Sequence, residues 1–372
     1  MSSPKAIVTV INDLVTDQRV DRACRALVKS GYEVLLVGRV LANSLPMNER
    51  PYASHRMKLF YTQGPLFYLE FQIRVFFFLL TKRPQLVYAN DLDTLLPNYL
   101  ISRIKQAKLI YDSHELFCEV PELIEHPQKR KIWKALERWL FPKLKNIITV
   151  NKSIAHIYEQ EYNKNLYVVR NIPIPRPIAH MASRKKLGLP EDKNLVILQG
   201  AGINIQRGAE EAVEAMQYIE DTILLIVGSG DVIDVLKKMR KELNIEKRVI
   251  ITGKVPYEQL AQYTRVADLG LSLDKDTNLN YRYSLPNKLF DYIHAGIPVL
   301  VSPLVEIARI VKEYQIGMVA ENHDPKHIAQ LINTAFQNQE TYSQWKKNLL
   351  IAQKELHWEM EEKQLLKCIS KA

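Results

Sequence analysis

The sequence predicts an α/β chain made of two doubly wound parallel-sheet domains. Three observations carry this reading. Short apolar runs alternate with segments of helical periodicity, the pattern of consecutive βαβ units. Pro173, Pro175, Pro177 and Pro190 punctuate the middle of the chain as a linker would. The length, 372 residues, suits two domains of roughly 150 residues each with some excess.

The elements follow in order. Residues 6–11 are apolar and end on Asn12-Asp13, which reads as a buried strand. Val20, Ala23, Cys24 and Leu27 then fall on one helical face, with Thr16 or Asp17 as its cap and Gly31 as its stop. Residues 33–37, 85–89, 108–111 and 146–150 are further strands. After the prolines the pattern restarts with a strand at 195–198, a glycine-containing loop and a helix at 209–218. Strands at 222–227, 248–251, 269–273 and 299–301 complete the second half. The expected boundaries are 1–172 for the first domain and 173–355 for the second. Paired halves of this kind bind ligands in the cleft between them, at the carboxyl ends of the strands.

Composition excludes several classes. Hydrophobic residues make up 47% and charged residues 25%, which rules out disorder, collagen and coiled coil. Cys24, Cys118 and Cys368 are odd in number and lack a CxxC spacing, so neither a disulfide framework nor a zinc site is expected. The N-terminus lacks the long apolar region of a signal peptide. The apolar run at 75–80 is too short to span a bilayer. The expectation is a cytoplasmic protein, soluble or lying on the inner face of the cytoplasmic membrane.

The net charge of +10 calls for an anionic partner. It is concentrated: residues 1–172 hold 25 Lys and Arg against 16 Asp and Glu, the remainder 26 against 25. Within the first half, residues 129–145 carry seven basic residues and a single acid, Glu137. Ile132, Leu136, Trp139 and Leu140 share one helical face there. Basic residues beside Trp and Leu suit a helix lying in an anionic interface, and Lys129, Arg130, Lys131, Trp133, Lys134, Arg138 and Trp139 form the expected membrane face. The alternative is a helix packed on its own domain. Residues 68–80, rich in aromatics including Phe76-Phe77-Phe78, raise the same two readings.

Phosphate-binding motifs are sparse. Gly228-Ser-Gly230 follows a strand, but Ile233 stands where a dinucleotide fingerprint has its third glycine, so a tight turn is the better reading. No Walker sequence is present. Residues 281–303 are more informative. Ser284 is placed to cap a helix beginning near Pro286, and Gly296 to end it. Backbone N–H groups at that helix start, with Lys288, make an anion site. Asp291, three residues on, would repel a phosphate but accept hydrogen bonds from sugar hydroxyls. Phosphate donors beside a hydroxyl acceptor suit a nucleotide-sugar.

The run Ser284-Leu-Pro-Asn-Lys-Leu-Phe-Asp-Tyr-Ile-His-Ala-Gly-Ile-Pro-Val299 resembles the signature of retaining glycosyltransferases of the GT-B fold, family 4. Further landmarks are similar and follow in family order. They are Gln199-Gly-Ala-Gly-Ile-Asn-Ile-Gln-Arg-Gly208, Leu225–Gly230, Ile251–Val255, Tyr111-Asp-Ser-His-Glu115, Val169–Pro173 and Trp358–Glu362. The resemblance implies two Rossmann-like domains and a C-terminal helix, about 356–372, crossing back to the first. It implies that Arg207 and Lys288 stabilise the diphosphate of a UDP- or GDP-sugar, and that His114 reaches the donor sugar. Gly202, Lys254, Val255, Ser284, Leu285, Pro286, Asn287 and Asp291 would line the donor site, Asp291 at the ribose. Asn12, Asp13, Asp17, Arg19, Asp112 and Glu115 would face the acceptor.

The sequence departs from the family at Tyr283, where the pattern has a first acid, and at Ala201, where it has an Arg. Arg207 and Lys288 must then carry the diphosphate charge. Asp91-Leu-Asp93 has the spacing of a metal motif but follows a strand of the first half, so no metal and no resident cofactor is expected. The implied reaction is sugar transfer, retaining and metal-independent, to a hydroxyl of a glycan or lipid-linked acceptor in cell-surface polysaccharide or glycoconjugate synthesis. Nucleic acid is not expected as a partner. Two alternatives stay open: a nucleotide-sugar epimerase of the same fold, and a non-catalytic lipid-binding protein on a degenerate scaffold.

Overall fold

A computed structural model describes residues 3–15, 17–42, 44–174 and 182–372. Thr16, one of the two candidate caps, and Pro175 and Pro177 of the linker lie outside the described residues. The chain divides into two compact units, Met1–Asn171 with Glu359–Ala372, and Ile172–Trp358.

The first unit holds seven parallel strands: β1 (Lys5–Asp13), β2 (Glu33–Val40), β3 (Ala53–Lys58), β4 (Leu86–Asn90), β5 (Lys108–Ser113), β6 (Asn146–Thr149) and β7 (Tyr167–Val168). Their order is β3-β2-β1-β4-β5-β6-β7. Three strands escaped the sequence reading, the short Gly317–Val319 of the second unit and two here. β3 is a polar edge strand, Ala-Ser-His-Arg-Met-Lys, with little of the apolar signal that marks buried strands. β7 has only two residues. The helix Asp17 caps is Gln18–Lys29, its carboxylate accepting from the Val20 N–H at 3.1 Å.

The second unit holds six parallel strands: β8 (Asn194–Gly200), β9 (Thr222–Gly228), β10 (Val249–Gly253), β11 (Leu269–Ser272), β12 (Val299–Val301) and β13 (Gly317–Val319). Their order is β10-β9-β8-β11-β12-β13. Alternate residues of β8 serve opposite faces, as the strand's two-residue period requires. Val196 and Leu198 join a cluster with Ala212, Val213, Ile328 and Ile332, whereas Leu195 and Ile197 join Phe290, Ile293, Ile307 and Ile310. Helices therefore cover both faces, and the strands read as continuous apolar runs.

In each sheet the chain winds outward in both directions from one pair of neighbours, β1 with β4 and β8 with β11. Loops at the carboxyl ends of such a pair diverge and leave a crevice. The Gly228-Ser-Gly230 turn follows from packing. A Cβ on Gly228 would lie 1.8 Å from the Gly200 carbonyl oxygen, and one on Gly230 2.0 Å from that of Ile203. These glycines let the loop after β9 lie on the loop after β8, fastened by Ile203 N–H to Ser229 O at 2.9 Å.

The last helix, Trp358–Lys371, belongs mostly to the first unit. Glu361 is buried and accepts from the Arg170 backbone N–H at 2.7 Å and from Arg170 Nε at 2.9 Å. Glu362 accepts from Lys29 at 2.6 Å, and Leu365, Cys368 and Ile369 are buried. Among the described residues no helix is long and apolar enough to cross a membrane.

Candidate functional site

Two cations of the second unit meet at the β8/β11 crevice. Arg207 sits on the loop after β8 and Lys288 in the first turn of the helix Asn287–Ala295. Both reach one carboxylate: Arg207 Nη1 lies 2.8 Å from Asp274 Oδ1, and Lys288 Nζ 3.0 Å from Asp274 Oδ2. Asp274 stands two residues past the last residue of β11, is 1% exposed, and also accepts from Ser272 Oγ at 3.2 Å. Burial alone would raise its pKa, but Lys288 and Arg207 hold it below the ordinary value. Gly208 makes the approach possible: at φ +73° it lets the Arg207 loop lie where a Cβ would stand 2.2 Å from the Leu273 carbonyl oxygen. The Arg207 guanidinium also stacks on Tyr281, 4.4 Å from the ring centroid. Two cations against one anion leave this corner positive.

The signature helix is held by its buried side, Leu289, Phe290, Tyr292 and Ile293. The Tyr292 hydroxyl donates to Leu271 O at 3.1 Å, fastening the helix to β11. Its start differs from expectation. Ser284 does not cap it: Pro286 is the N-cap residue, and no side chain accepts from the first turn. Ser284 lies two residues upstream of the cap position, its own N–H bonded to Tyr281 O at 3.0 Å. Leu289 N–H bonds Pro286 O at 3.1 Å, and the N–H groups of Asn287 and Lys288 remain available to an anion. Ser284 Oγ and Arg207 Nε are both buried with no hydrogen-bond partner in the protein. Buried polar atoms seldom go unsatisfied, and these two suit phosphate oxygens.

Asp291 stands one turn further along. It accepts from Gln199 Nε2 at 3.1 Å and Tyr257 Oη at 3.3 Å. Burial pushes its carboxyl up to about 6 against the pull of those two bonds. Leu285 and Val255 pack on the core of this unit, whereas Gly202, Lys254 and Asn287 are exposed.

The first unit has its own polar cluster at the carboxyl ends of β1, β4 and β5. His114 Nδ1 lies 3.1 Å from Asp91 Oδ2, and Nε2 lies 3.6 Å from Asp112 Oδ2 and 3.1 Å from Asn90 Oδ1. Asp91 also accepts the His114 backbone N–H at 2.8 Å. Asp91 has φ 60° and ψ 169°, a strained conformation for a residue with a side chain. Burial disfavours the charged imidazole, but Asp91 and Asp112 outweigh it and push its pKa up to about 10. His114 is therefore an imidazolium at neutral pH. It is a proton donor or a fixed cation, not a free base.

Two residues placed on the acceptor side turn out to support this ring. Arg19 and Asp112 are 5% and 2% exposed and bond each other at 2.6 and 3.2 Å. Arg19 also donates to Val169 O at 2.8 Å, and Tyr88 Oη donates to Asp112 at 2.8 Å. Their groups are spent on each other, which corrects their assignment as acceptor contacts. Asn12, Asp13 and Asp17 shape the loop after β1: Asn12 donates to Asp17 at 3.1 Å, and Asp13 accepts from Ser44 at 2.6 Å. Glu115 is half-buried beside His114. Asp274, Asn90 and Tyr88 were not singled out from sequence; Asp91 was weighed only as part of a metal motif, and Gln199 only as the start of a family landmark. For Asp274 a usable signal existed, the first acid after a strand beside the switch point.

Both halves match known family models. Residues 181–349 match the glycosyl transferases group 1 model, and residues 17–172 the Glycosyltransferase Family 4 model. The chain belongs to the group 1 glycosyltransferases. Among curated relatives it is 22% identical over 291 residues to chitobiosyldiphosphodolichol beta-mannosyltransferase of Debaryomyces hansenii, covering 68% of this chain and 60% of that one. The match spans 25% to 60% of the length of the curated relatives found. Sucrose-phosphate synthase of Thermosynechococcus elongatus shares the fold at TM-score 0.80 and 17% identity, covering 99% of this chain and 98% of that one. Anabaena Alr3699/HepE in complex with UDP-glucose does so at 0.75 and 15%, covering 99% and 100%. The GT-B fold follows from these likenesses.

The basic helix of this glycosyltransferase, Pro127–Leu140, is less free than its composition suggests. Lys134 pairs with buried Glu137 at 2.6 Å and with Glu161 at 2.7 Å. Arg130 donates to Cys118 O at 2.9 Å and pairs with Glu119. Trp133 packs on Tyr68 and Phe117, at 5.3 and 5.1 Å. Lys134 and Trp133 are thus partly buried against protein, which corrects their place on the membrane face, and Arg130, though 44% exposed, is paired. Lys129, Lys131, Arg138 and Trp139 remain exposed. Leu140 is buried while Ile132 is 71% exposed, so the four apolar residues do not form one packed stripe.

Proposed function

We propose that the chain transfers a sugar from a UDP- or GDP-sugar to a hydroxyl of a glycan or lipid-linked acceptor. The observation that carries this reading is the meeting of Arg207 and Lys288 on Asp274 beside an uncapped helix start. Breaking the sugar–phosphate bond loads charge onto the diphosphate. Two fixed cations and first-turn N–H groups stabilise that charge more in the transition state than in the ground state. These groups suffice without a metal ion, and the nucleotide-sugar is a co-substrate rather than a resident cofactor. Asp291 receives ribose hydroxyls. His114, held charged, donates a hydrogen bond to the donor sugar. We further propose retention of configuration, with the diphosphate oxygen taking the proton of the incoming hydroxyl, and a cytoplasmic role in cell-surface glycan synthesis.

A hydrolysis screen over nucleotide-sugars in the absence of acceptor tests the reading. UDP-glucose is the first to try, because the Anabaena protein was captured with it. Slow release of free sugar from one donor is expected, and inertness to every UDP- and GDP-sugar would count against transfer.

Asp291 gives a pH prediction. Its carboxyl titrates near 6, so it is protonated below that and a hydroxyl acceptor above it. Donor affinity should rise as pH passes upward through about 6, with one proton released on binding in that window. Free-protein stability should move the other way, since a raised carboxyl pKa favours the folded state at low pH and loses that advantage as pH rises through about 6. Calorimetry in two buffers of different ionisation enthalpy reads the proton release. An Asp291→Asn variant should show neither the pH step nor the proton.

We also propose that the exposed cations of the basic helix bind an anionic membrane. Each Lys at a charged surface is worth about 1 kcal/mol, so reversing Lys129 and Lys131 to Glu should weaken vesicle binding about 30-fold or more. Flotation with anionic vesicles measures this, and donor binding should not change. Equal flotation of wild type and variant would make the helix structural.

A further inference from the structure

The helices Gly64–Leu80 and Pro127–Leu140 enclose an apolar groove of about 540 Å³ in the first unit. Tyr68, Leu69, Leu96, Ile132, Trp133 and Leu136 supply its apolar lining, and Gln72, Glu122, His126 and Lys129 its polar lining. Its size is that of a small-molecule site, and it lies within one unit of the fold. Helix Gly64–Leu80 commits one side to the core, through Phe67, Phe71, Val75 and Leu79. Its other side keeps Leu66, Leu69, Ile73 and Phe77 about half exposed. A surface helix is ordinarily polar on that side, and apolar exposure of this extent marks a binding surface.

The groove adjoins a polar group. Leu96 is one turn beyond Asp93 on the helix Leu92–Lys105. Tyr68 feels the charges of Asp93 and Arg39, and the Arg39 guanidinium lies 4.6 Å over the ring of Phe67. Asp93 is 5% exposed, and its Oδ1 has no hydrogen-bond partner in the protein; neither has Arg39 Nε. Burial pushes the Asp93 carboxyl well above the ordinary carboxylate range; the Asp91 charge adds to that rise and the His114 charge opposes it. An apolar trough thus neighbours two hydrogen-bonding groups of the same unit, Asp93 and Arg39, through Tyr68, Leu96 and Phe67. That distribution is complementary to an amphiphile: a hydrocarbon chain has no use for the polar groups, and a free sugar has none for the trough. The trough is concave, as suits a single chain, whereas a bilayer receives protruding side chains.

We propose that this groove seats the apolar chain of a lipid-borne acceptor, whose hydroxylated head meets Asp93 and Arg39. The proposal rests on the transferase reading for the fate of the head, and not for the binding of the chain. Asp93 and Arg39 then select a hydroxylated head, and groove length selects the chain.

The test uses the full-length protein and n-alkyl β-D-glucosides of four, six and eight carbons below their micelle concentration, with Trp133 fluorescence as readout. Affinity should rise with chain length, approaching about 4-fold per buried methylene. Leu69→Gln and Ile132→Gln, both at exposed positions, should flatten that rise while leaving the UDP or GDP response unchanged. Octyl glucoside should bind more tightly than octanol, and Asp93→Asn should shrink that preference about 3- to 10-fold. Affinity independent of chain length, or indifferent to both groove variants, overturns the proposal. So does binding to zwitterionic vesicles with none to the monomeric glucosides, which would make the face a bilayer contact. If the glucosides bind as expected but no nucleotide does, the groove stands and the transferase reading falls.

Discussion

Arg207→Ala should lower kcat about 100- to 1,000-fold while the folded state persists. The size is that of removing one preorganised group from a site where charge develops. Persistence follows from the geometry of Asp274. Truncating Arg207 still leaves this buried carboxylate paired with Lys288 at 3.0 Å. Lys288→Met is the mirror case, with Arg207 left at 2.8 Å. The double variant is different, because it strands a carboxylate that is 1% exposed. An uncompensated buried charge costs about 3–5 kcal/mol, so the double variant should lose far more stability than the two singles added together. Chemical denaturation of the four proteins measures this coupling. Additive losses would mean that the two cations do not share Asp274 in solution.

His114→Gln should lower kcat about 100-fold or more with a small change in donor affinity. The imidazolium is placed by Asp91 and Asp112, and glutamine keeps a hydrogen bond but loses the charge. The pH dependence distinguishes this role from general base catalysis. A base of ordinary pKa would give activity rising through about 6.5. With the ring held charged up to about 10, His114 contributes no step there, and activity that depends on its charge falls only as pH approaches about 10. Stability follows the same sign. The charged ring's contribution is complete below the unfolded value of about 6.5 and is lost as pH rises through about 10. Asp112 has the opposite sign, its contribution being present above the ordinary carboxylate range and lost in acid. A profile in which the step near 6.5 vanishes with His114→Gln would contradict the fixed-cation role.

How far the sequence disclosed this site depends on where each group's environment comes from. The segment 284–299 was legible because its chemistry is contiguous: helix start, Lys288, Asp291 and the following strand lie within one βα unit. Asp274 was not, because its meaning comes from partners 67 positions before it and 14 after. The same holds for Asp91, whose strained backbone and bond to His114 exist only once β4 and β5 lie side by side. Charge was misleading in a related way. Lys134 belongs to a basic run in the sequence, yet Glu161, 27 residues away, neutralises it. Buried strands such as β8 were read correctly from uninterrupted apolar runs. β3 was missed because an edge strand is free to be polar.

The central claim is that the second unit holds a nucleoside diphosphate at Arg207, Lys288 and the start of the helix Asn287–Ala295. Thermal unfolding with UDP, GDP and ADP, for wild type and Arg207→Ala, tests it most directly. Ligand at 100 times its Kd adds about 2.7 kcal/mol, which raises Tm by several degrees in a domain of this size. The account predicts such a rise with UDP or GDP in wild type and a much smaller one in Arg207→Ala. No rise with any of the three nucleotides, or an equal rise in both proteins, would contradict it.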